Sequence, residues 1–269
     1  MIDEVKLARA YNRALKLEKS GKHQAAAALY RECLALDPQD HGGAAVRLAA
    51  MNEGPTPTKA SDAYVATLFH QQAEMFEAIL VDQLGYDVPE LLGERLAGLG
   101  LDRFGRVLDL GCGTGLSGEV LRERAEHLTG VDLAEGMIEV AHEKEIYDQL
   151  YVGEVVNFLE QADERWDLVV ATDVLPYLGD LDGFFAGAAR CLTSHGLLGV
   201  SSERIEADAS QAPFIVGPHQ RFAHQERYLR DHLTSHGFDV LSLEEITVRH
   251  EMGEPVPGHL VIARRSVVA

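Results

Sequence analysis

The run Val107-Leu108-Asp109-Leu110-Gly111-Cys112-Gly113-Thr114-Gly115 constrains this chain more than any other segment, because an apolar stretch there ends in three glycines spaced two apart. The apolar part reads as a buried strand, and the amphipathic stretch from Leu116 reads as the helix that follows it. Glycine at 111, 113 and 115 lets the backbone turn tightly and approach a ligand that a Cβ would hold away. Such a unit belongs in a sheet covered by helices, so the remainder must supply further strand and helix pairs.

It does so after Asp102, where short apolar runs alternate with amphipathic stretches. Candidate strands are Arg106 to Leu110, His127 to Asp132, Leu150 to Gly153, Trp166 to Ala171 and Gly196 to Ser201, with helices after the first four. A helix near His224 to Ser235 precedes a long strand, Phe238 to Arg249. The turn Met252 to Gly258 then leads to a last strand, His259 to Arg264. Two strands joined so briefly pair antiparallel, since a parallel return needs a crossover. The expected fold is α/β: a doubly wound, seven-stranded, mainly parallel sheet.

The N-terminal part has another period. Leu7, Ala10, Ala14 and Leu17, then Ala25, Ala28, Leu29, Tyr30, Cys33 and Leu36, recur at helical spacing on either side of Ser20-Gly21-Lys22. Pro38 stops the second helix, because proline disfavours helical geometry in the residue before it. Ala14, Leu17, Gly21, Ala26, Tyr30, Cys33 and Pro38 resemble one tetratricopeptide repeat. A single repeat cannot bury its own apolar face, so this hairpin is expected to pack on the main domain, on a homodimer partner, or to receive a protein. Asn52 to Thr58 is rich in glycine and proline and reads as a linker. The expected domains are residues 1–52 and 58–269. Within the second, helices over 58–100 serve as a lid and 203–223 as an insertion.

The net charge of -19 repels phosphate backbones, and no Lys/Arg run offsets it, so nucleic acid is a poor partner. A small molecule or a protein suits the surface better. Cys33, Cys112 and Cys191 are far apart and show neither a disulfide nor a zinc spacing, which fits a reducing cytoplasm. No stretch reaches the roughly 18 apolar residues of a membrane span.

Val131-Asp132-Leu133 ends the second strand about 20 residues after the glycines, where a carboxylate can accept hydrogen bonds from ribose hydroxyls. Gly113, Gly115 and Gly118 also satisfy the dinucleotide spacing, so spacing alone leaves a nicotinamide or flavin cofactor open. Asp109 to Gly115, Val131-Asp132-Leu133-Ala134-Glu135-Gly136-Met137-Ile138 and Asp167 to Leu175, taken in order, resemble the class I S-adenosylmethionine-dependent methyltransferases. The likeness covers about residues 60 to 266. The hairpin, Tyr64 to Phe69, Leu84 to Pro89, Arg221 to His224 and Gly253 to Gly258 resemble more narrowly a bacterial group of repeat-bearing methyltransferases. That group tends to read Phe-Asp-x-Tyr-Ala near position 70, where this chain has Phe69-His70-Gln71-Gln72-Ala73.

The resemblance implies S-adenosylmethionine as cofactor and S-adenosylhomocysteine as product. Asp109 and the backbone of Gly111, Cys112, Gly113 and Gly115 would hold the methionine part, and Asp132 the ribose. Leu133, Met137 and Val155 would pack on the adenine, Glu154 would meet its amino group, Asp173 would lie near the sulfonium, and Tyr64 would join the cofactor contacts.

Methyl transfer is an in-line displacement that mainly needs alignment and exclusion of water, and an oxygen or carbon nucleophile would want a base nearby. The catalytic candidates are His224, Tyr177 and His219, with Glu203 beside them. His224 is preferred because it follows Arg221-Phe222 in the insertion, although a histidine entering a helix or lying at the surface is more often structural. His232 and His236 share a helix face, but no third ligand is evident and no metal is expected. Asp173-Val174-Leu175-Pro176-Tyr177 stands where an Asn-Pro-Pro-Tyr sequence would signal methylation of an amino nitrogen of adenine or glutamine. A small-molecule methyltransferase is the leading expectation. The rivals are a protein methyltransferase that uses the repeat for recognition and a scaffold that binds the cofactor without turnover.

Overall fold

The computed structural model describes residues 3–205 and 210–266. Part of the expected insertion, residues 206–209, lies outside them. Strands β1 (Phe104–Leu110), β2 (Ala125–Asp132), β3 (Gln149–Val152), β4 (Trp166–Ala171) and β5 (Leu192–Arg204) lie parallel in the order β3-β2-β1-β4-β5. Val107, Leu108, Val131, Val169 and Val170 are all fully buried, as continuous apolar strands covered on both faces should be. One face carries α8 (Val155–Gln161), α9 (Asp182–Cys191) and α10 (Glu226–Ser235); the other carries α5 (Val88–Gly98) and α6 (Leu116–Leu121). The hairpin of β8 (Phe238–Glu251) and β9 (Glu254–Arg265) closes the sheet, with β9 antiparallel to β5.

Two details differ from the expectation. The sheet has nine strands, because β6 (Phe214–Val216) and β7 (Phe222–His224) form within the insertion. The reason lies in β5, which runs three residues past its expected end. Its free edge beyond β4 then pairs Glu203 with Ala223 and Arg204 with His224. His224 therefore ends a strand, and α10 starts only at Glu226. The last turn is also shorter than expected: Met252 and Gly253, both at positive φ, form a two-residue connection, and β9 begins at Glu254. Pro255 and Pro257 are tolerated because β9 meets β5 only from Gly258 onward, leaving one edge without a ladder to break.

In the N-terminal part, α1 (Glu4–Lys19) and α2 (His23–Leu36) approach through Ala10, Ala14, Ala26 and Ala27, with Tyr30 filling the space between them. Helix α3 (Ala44–Ala50) turns outward, and its Val46 and Ala49 pack with Tyr177, Val216 and Phe222 of the main sheet region. The expected helices of 58–100 are not continuous: α4 (Asp62–Gln72) is followed by a 3-10 turn at Ala73–Met75 and a π-helical turn at Ala78–Gln83 before α5. Among the described residues no helix is long and apolar enough to cross a membrane.

Candidate active site

After β1 the chain crosses to β2 on one side, and after β4 it crosses to β5 on the other. A crevice must therefore open between the carboxyl ends of β1 and β4. A cleft with about 880 Å³ of empty space lies there. Its floor is the glycine turn. Gly111 has φ +65°, and a Cβ on it would stand 2.4 Å from Val174 Cγ2, so only glycine fits. Gly113 has φ +53° and lies bare in the cleft wall. Its N–H donates to Asp132 Oδ2 at 2.9 Å, while Ala134 N–H donates to Oδ1 at 2.8 Å. The Asp132 side chain is thus locked in one pose at the cleft edge with lone pairs to spare. Burial raises its pKa, opposed by these amides.

Leu133, Met137 and Val155 form an apolar wall beside Asp132. Glu154 lines the same wall, but one oxygen caps α8 by accepting from Asn157 N–H at 2.7 Å, and the other lies 3.7 Å from Lys59 Nζ. Asp173 lines the opposite end in a left-handed conformation, φ +59°, held by a hydrogen bond from its N–H to Ser201 Oγ. Its carboxylate lies 3.2 Å from Arg221 Nη1 and 3.6 Å from Arg249 Nη1.

Six expected site residues stand back from the cleft. Asp109 is fully buried beneath the turn and accepts from Tyr147 Oη at 2.6 Å. Burial pushes its pKa up to about 7, partly offset by that hydrogen bond. Gly115, at φ +102°, starts α6 against the rings and chains of Ile146 and Tyr147. Tyr64 packs its ring on Gly43. His219 pairs with Glu251 at 2.7 Å. The favoured base, His224, is also elsewhere: fully buried in β7, its Nε2 bonds the Leu178 carbonyl at 2.8 Å, and burial lowers its pKa to about 4. Its place behind the wall follows from β7, which pulls the residue into the sheet. Glu203 likewise spends its carboxylate on Arg249, at 2.5 Å.

Tyr177 does line the cleft. Its ring lies edge-on to Phe69 at 5.3 Å, and the Arg221 guanidinium sits 5.7 Å from its centroid. Its hydroxyl is buried without a hydrogen-bond partner among the described residues, and burial raises its pKa. The rest of this end comes from the lid, through Val65, Phe69, Phe76, Leu80 and Tyr86. Two contacts tie the lid to the floor side. His70 Nδ1 accepts from Gly136 N–H at 3.1 Å, and Glu77 accepts from Thr114 Oγ1 and Lys144 Nζ, both at 2.6 Å.

Sequence reasoning missed the lid's individual side chains, and it missed Arg249. No spacing marks Arg249, whose fully buried guanidinium meets Glu203, Glu251 and Asp173.

These residues suit an adenosine-bearing sulfonium. Gly113 bares its backbone to the cleft, the Asp132 oxygens can accept from hydroxyls, and the apolar wall can take a flat ring. A model of the methyltransferase domain family matches residues 108–200. A ubiquinone biosynthesis O-methyltransferase of Idiomarina loihiensis is 30% identical over 175 residues, covering 58% of this chain and 68% of that protein. The chain belongs to the S-adenosylmethionine-dependent methyltransferases. A malonyl-acyl-carrier-protein O-methyltransferase of Serratia marcescens is 31% identical over 135 residues, 50% of each chain. The matched stretches span half or less of the length of the first curated relatives of this methyltransferase domain. In structure it is similar to the 4+2 cyclase SpnF, with a TM-score of 0.63 at 18% identity over 79% of this chain and 98% of that one. That likeness concerns the fold alone, which can carry unrelated chemistry.

Proposed function

We propose that this protein transfers the methyl group of S-adenosylmethionine to an oxygen of a small acceptor enclosed by the lid and Tyr177. The observation that carries the reading is one cleft with two unlike ends. One end has the bare glycine turn, Asp132 and an apolar wall. The other has aromatic rings around a single unpartnered hydroxyl. When bound, the cofactor supplies a methyl carbon made electrophilic by its sulfonium. In the proposed arrangement Asp132 holds the ribose, and Leu133, Met137 and Val155 take the adenine. Asp173 faces the charged centre, with its own charge moderated by Arg221 and Arg249.

Tyr177 positions the acceptor. Its raised pKa keeps it protonated near neutral pH, so it donates a hydrogen bond and does not serve as a base. Among the described residues no histidine lines the cleft. Its carboxylates are engaged too: Asp62 by Lys59, Asp132 by amides, Glu154 by an amide and Asp173 by arginines. The acceptor that suits such a site is already an anion, a carboxylate or an acidic phenol. The names of the two relatives, both O-methyltransferases, support an oxygen acceptor. We assign His224 and His219 structural roles on the same reasoning. In this reading residues 58–269 form the catalytic unit.

Calorimetry with S-adenosylmethionine tests the first half: a folded protein that binds none, or an Asp132→Ala variant that binds as tightly, ends it. Incubation of labelled cofactor with a cell extract tests the second half and separates the rivals. Label in a small extractable molecule is expected, label in polypeptide would establish the protein methyltransferase, and cofactor binding without transfer would leave the non-catalytic scaffold. The protein-acceptor rival draws on α3, whose Val46 and Ala49 share an apolar cluster with Tyr177. Removing residues 1–52 would also uncover that cluster, so substitutions on the exposed face of α1 and α2 make the cleaner comparison.

A further inference from the structure

Helix α10 ends beside the start of α9, on the face of the sheet away from the lid. Three donor groups meet there. His236 Nε2 lies 2.9 Å from Asp182 Oδ1, and His232 Nδ1 lies 3.9 Å from the same oxygen. One ligand atom from each residue falls within 4.8 Å of the others. Tetrahedral zinc, with bonds of about 2.0–2.2 Å, holds its ligand atoms about 3.4 Å apart, so this spacing needs only small side-chain rotations. We propose that Asp182, His232 and His236 form a binding site for a divalent cation of the zinc type, with two nitrogens, one oxygen and a fourth position left to water.

Three further observations support a built site. His232 Nδ1 is buried and has no hydrogen-bond partner among the described residues, although Asp182 Oδ1 lies 3.9 Å from it. An orphaned buried imidazole nitrogen costs free energy that a metal bond would offset. The His232 ring is also fixed in place: it stacks on Phe185 at 5.9 Å and meets Tyr228 edge-on at 4.4 Å. Tyr228 in turn fixes the other side. Its hydroxyl accepts from Leu181 N–H at 3.1 Å and donates to the Gly179 carbonyl at 3.4 Å, which ties the segment leading into Asp182 to α10. The i,i+4 histidine pair was visible in the sequence, but Asp182 is 50 residues earlier and enters only through the packing of α9 on α10. None of the three residues lines the cleft, so the cation's role is to clamp the two helices.

The test uses the full chain without a histidine tag, stripped with chelator and titrated with Zn²⁺ by calorimetry and with Co²⁺ by absorption. One equivalent should bind, Co²⁺ should give the visible bands of a low-coordinate nitrogen and oxygen site, and Zn²⁺ should raise the melting temperature. His232→Gln and His236→Gln should each weaken binding by at least about 10-fold, the scale on which even outer partners of a ligand act. Asp182→Asn, at a side chain 69% exposed, should do the same without threatening the fold. Absence of saturable binding, or one-equivalent binding that all three variants retain, would overturn the site.

Discussion

The two ends of the cleft are built in opposite ways. The floor end comes from three short stretches, 111–114, 132–137 and 154–155, each following the carboxyl end of a strand directly into the site. Its geometry is a backbone matter: glycines at positive φ, and Asp132 held by two amides. The lid end draws on α4, the segment after β4, the insertion and β8, and it is held together by side chains. Arg249 and Arg221 gather Asp173, Glu203 and Glu251 into one buried ionic cluster. The floor end should therefore tolerate loss of any one side chain in folding and fail in binding. The lid end should fail in folding when its ionic cluster is broken.

The largest expected effect is on the second of these. Arg249→Met would leave three acids facing one another with Arg221 as the remaining cation, and it should cost about 3–5 kcal/mol in urea unfolding. A loss under about 1 kcal/mol would show that packing, not charge pairing, holds the lid end, and the contrast between the ends would collapse.

His224 gives the next effect. Its pKa falls from 6.5 to about 4 on folding, mainly because burial disfavours the charged ring. The unfolded state thus binds more protons between those values, so this residue's contribution is complete above about pH 6.5 and is lost as pH falls toward 4. That contribution is on the order of 3 kcal/mol. Asp109 acts in the opposite sense. Its carboxyl, raised to about 7, favours the folded state at low pH and loses that contribution as pH rises through 7. Unfolding free energies measured from pH 4 to pH 7 should rise with pH less steeply in His224→Gln than in the parent, and more steeply in Asp109→Asn. Parallel curves would place both groups in contact with water.

Asp132→Ala sharpens the comparison from the floor side. Two hydrogen bonds to ribose, each worth about 1.5–3 kcal/mol when an acceptor is charged, would go with the carboxylate. Affinity for S-adenosylmethionine by calorimetry should fall by about 100-fold or more. Stability should fall by only about 1–3 kcal/mol, from the Gly113 and Ala134 amides left unpaired. A variant that unfolds outright would show the floor to be as dependent on side-chain bonds as the lid.

How much could be read in advance follows the same division. The strand ends, the glycine turn and Asp132 were legible because they are local: a residue type, a period and a spacing suffice. Gly111, Gly113, Leu133, Met137, Val155 and Asp173 all line the cleft for that reason. The burial of His224 was not legible, because its environment depends on β5 continuing to Arg204, which creates a pairing edge that no local pattern announces. Phe69 and Phe76 looked like the apolar side of an ordinary helix. The helix is interrupted by the 3-10 turn at Ala73–Met75 between them, and Phe76 comes within 3.6 Å of the place a Gly113 Cβ would take. Arg249 carried no signal at all, because a lone arginine in an alternating strand is usually solvated.

The smallest effect discriminates best between the two ends. Tyr177→Phe removes a buried hydroxyl that has no partner, so in the absence of acceptor it should leave stability unchanged or raise it slightly, since a desolvated polar group disappears. If the hydroxyl positions the acceptor, kcat/KM should fall by about 5-fold, the equivalent of one hydrogen bond of about 1 kcal/mol, while cofactor affinity stays as it was. Opposite signs in folding and turnover cannot come from a residue that merely packs, because a packing residue loses both together. Equal turnover in the variant would move acceptor recognition to the Lys59–Asp62 side of the cleft. A loss of cofactor affinity would mean that the two ends are one site, and the contrast drawn from the geometry would not hold.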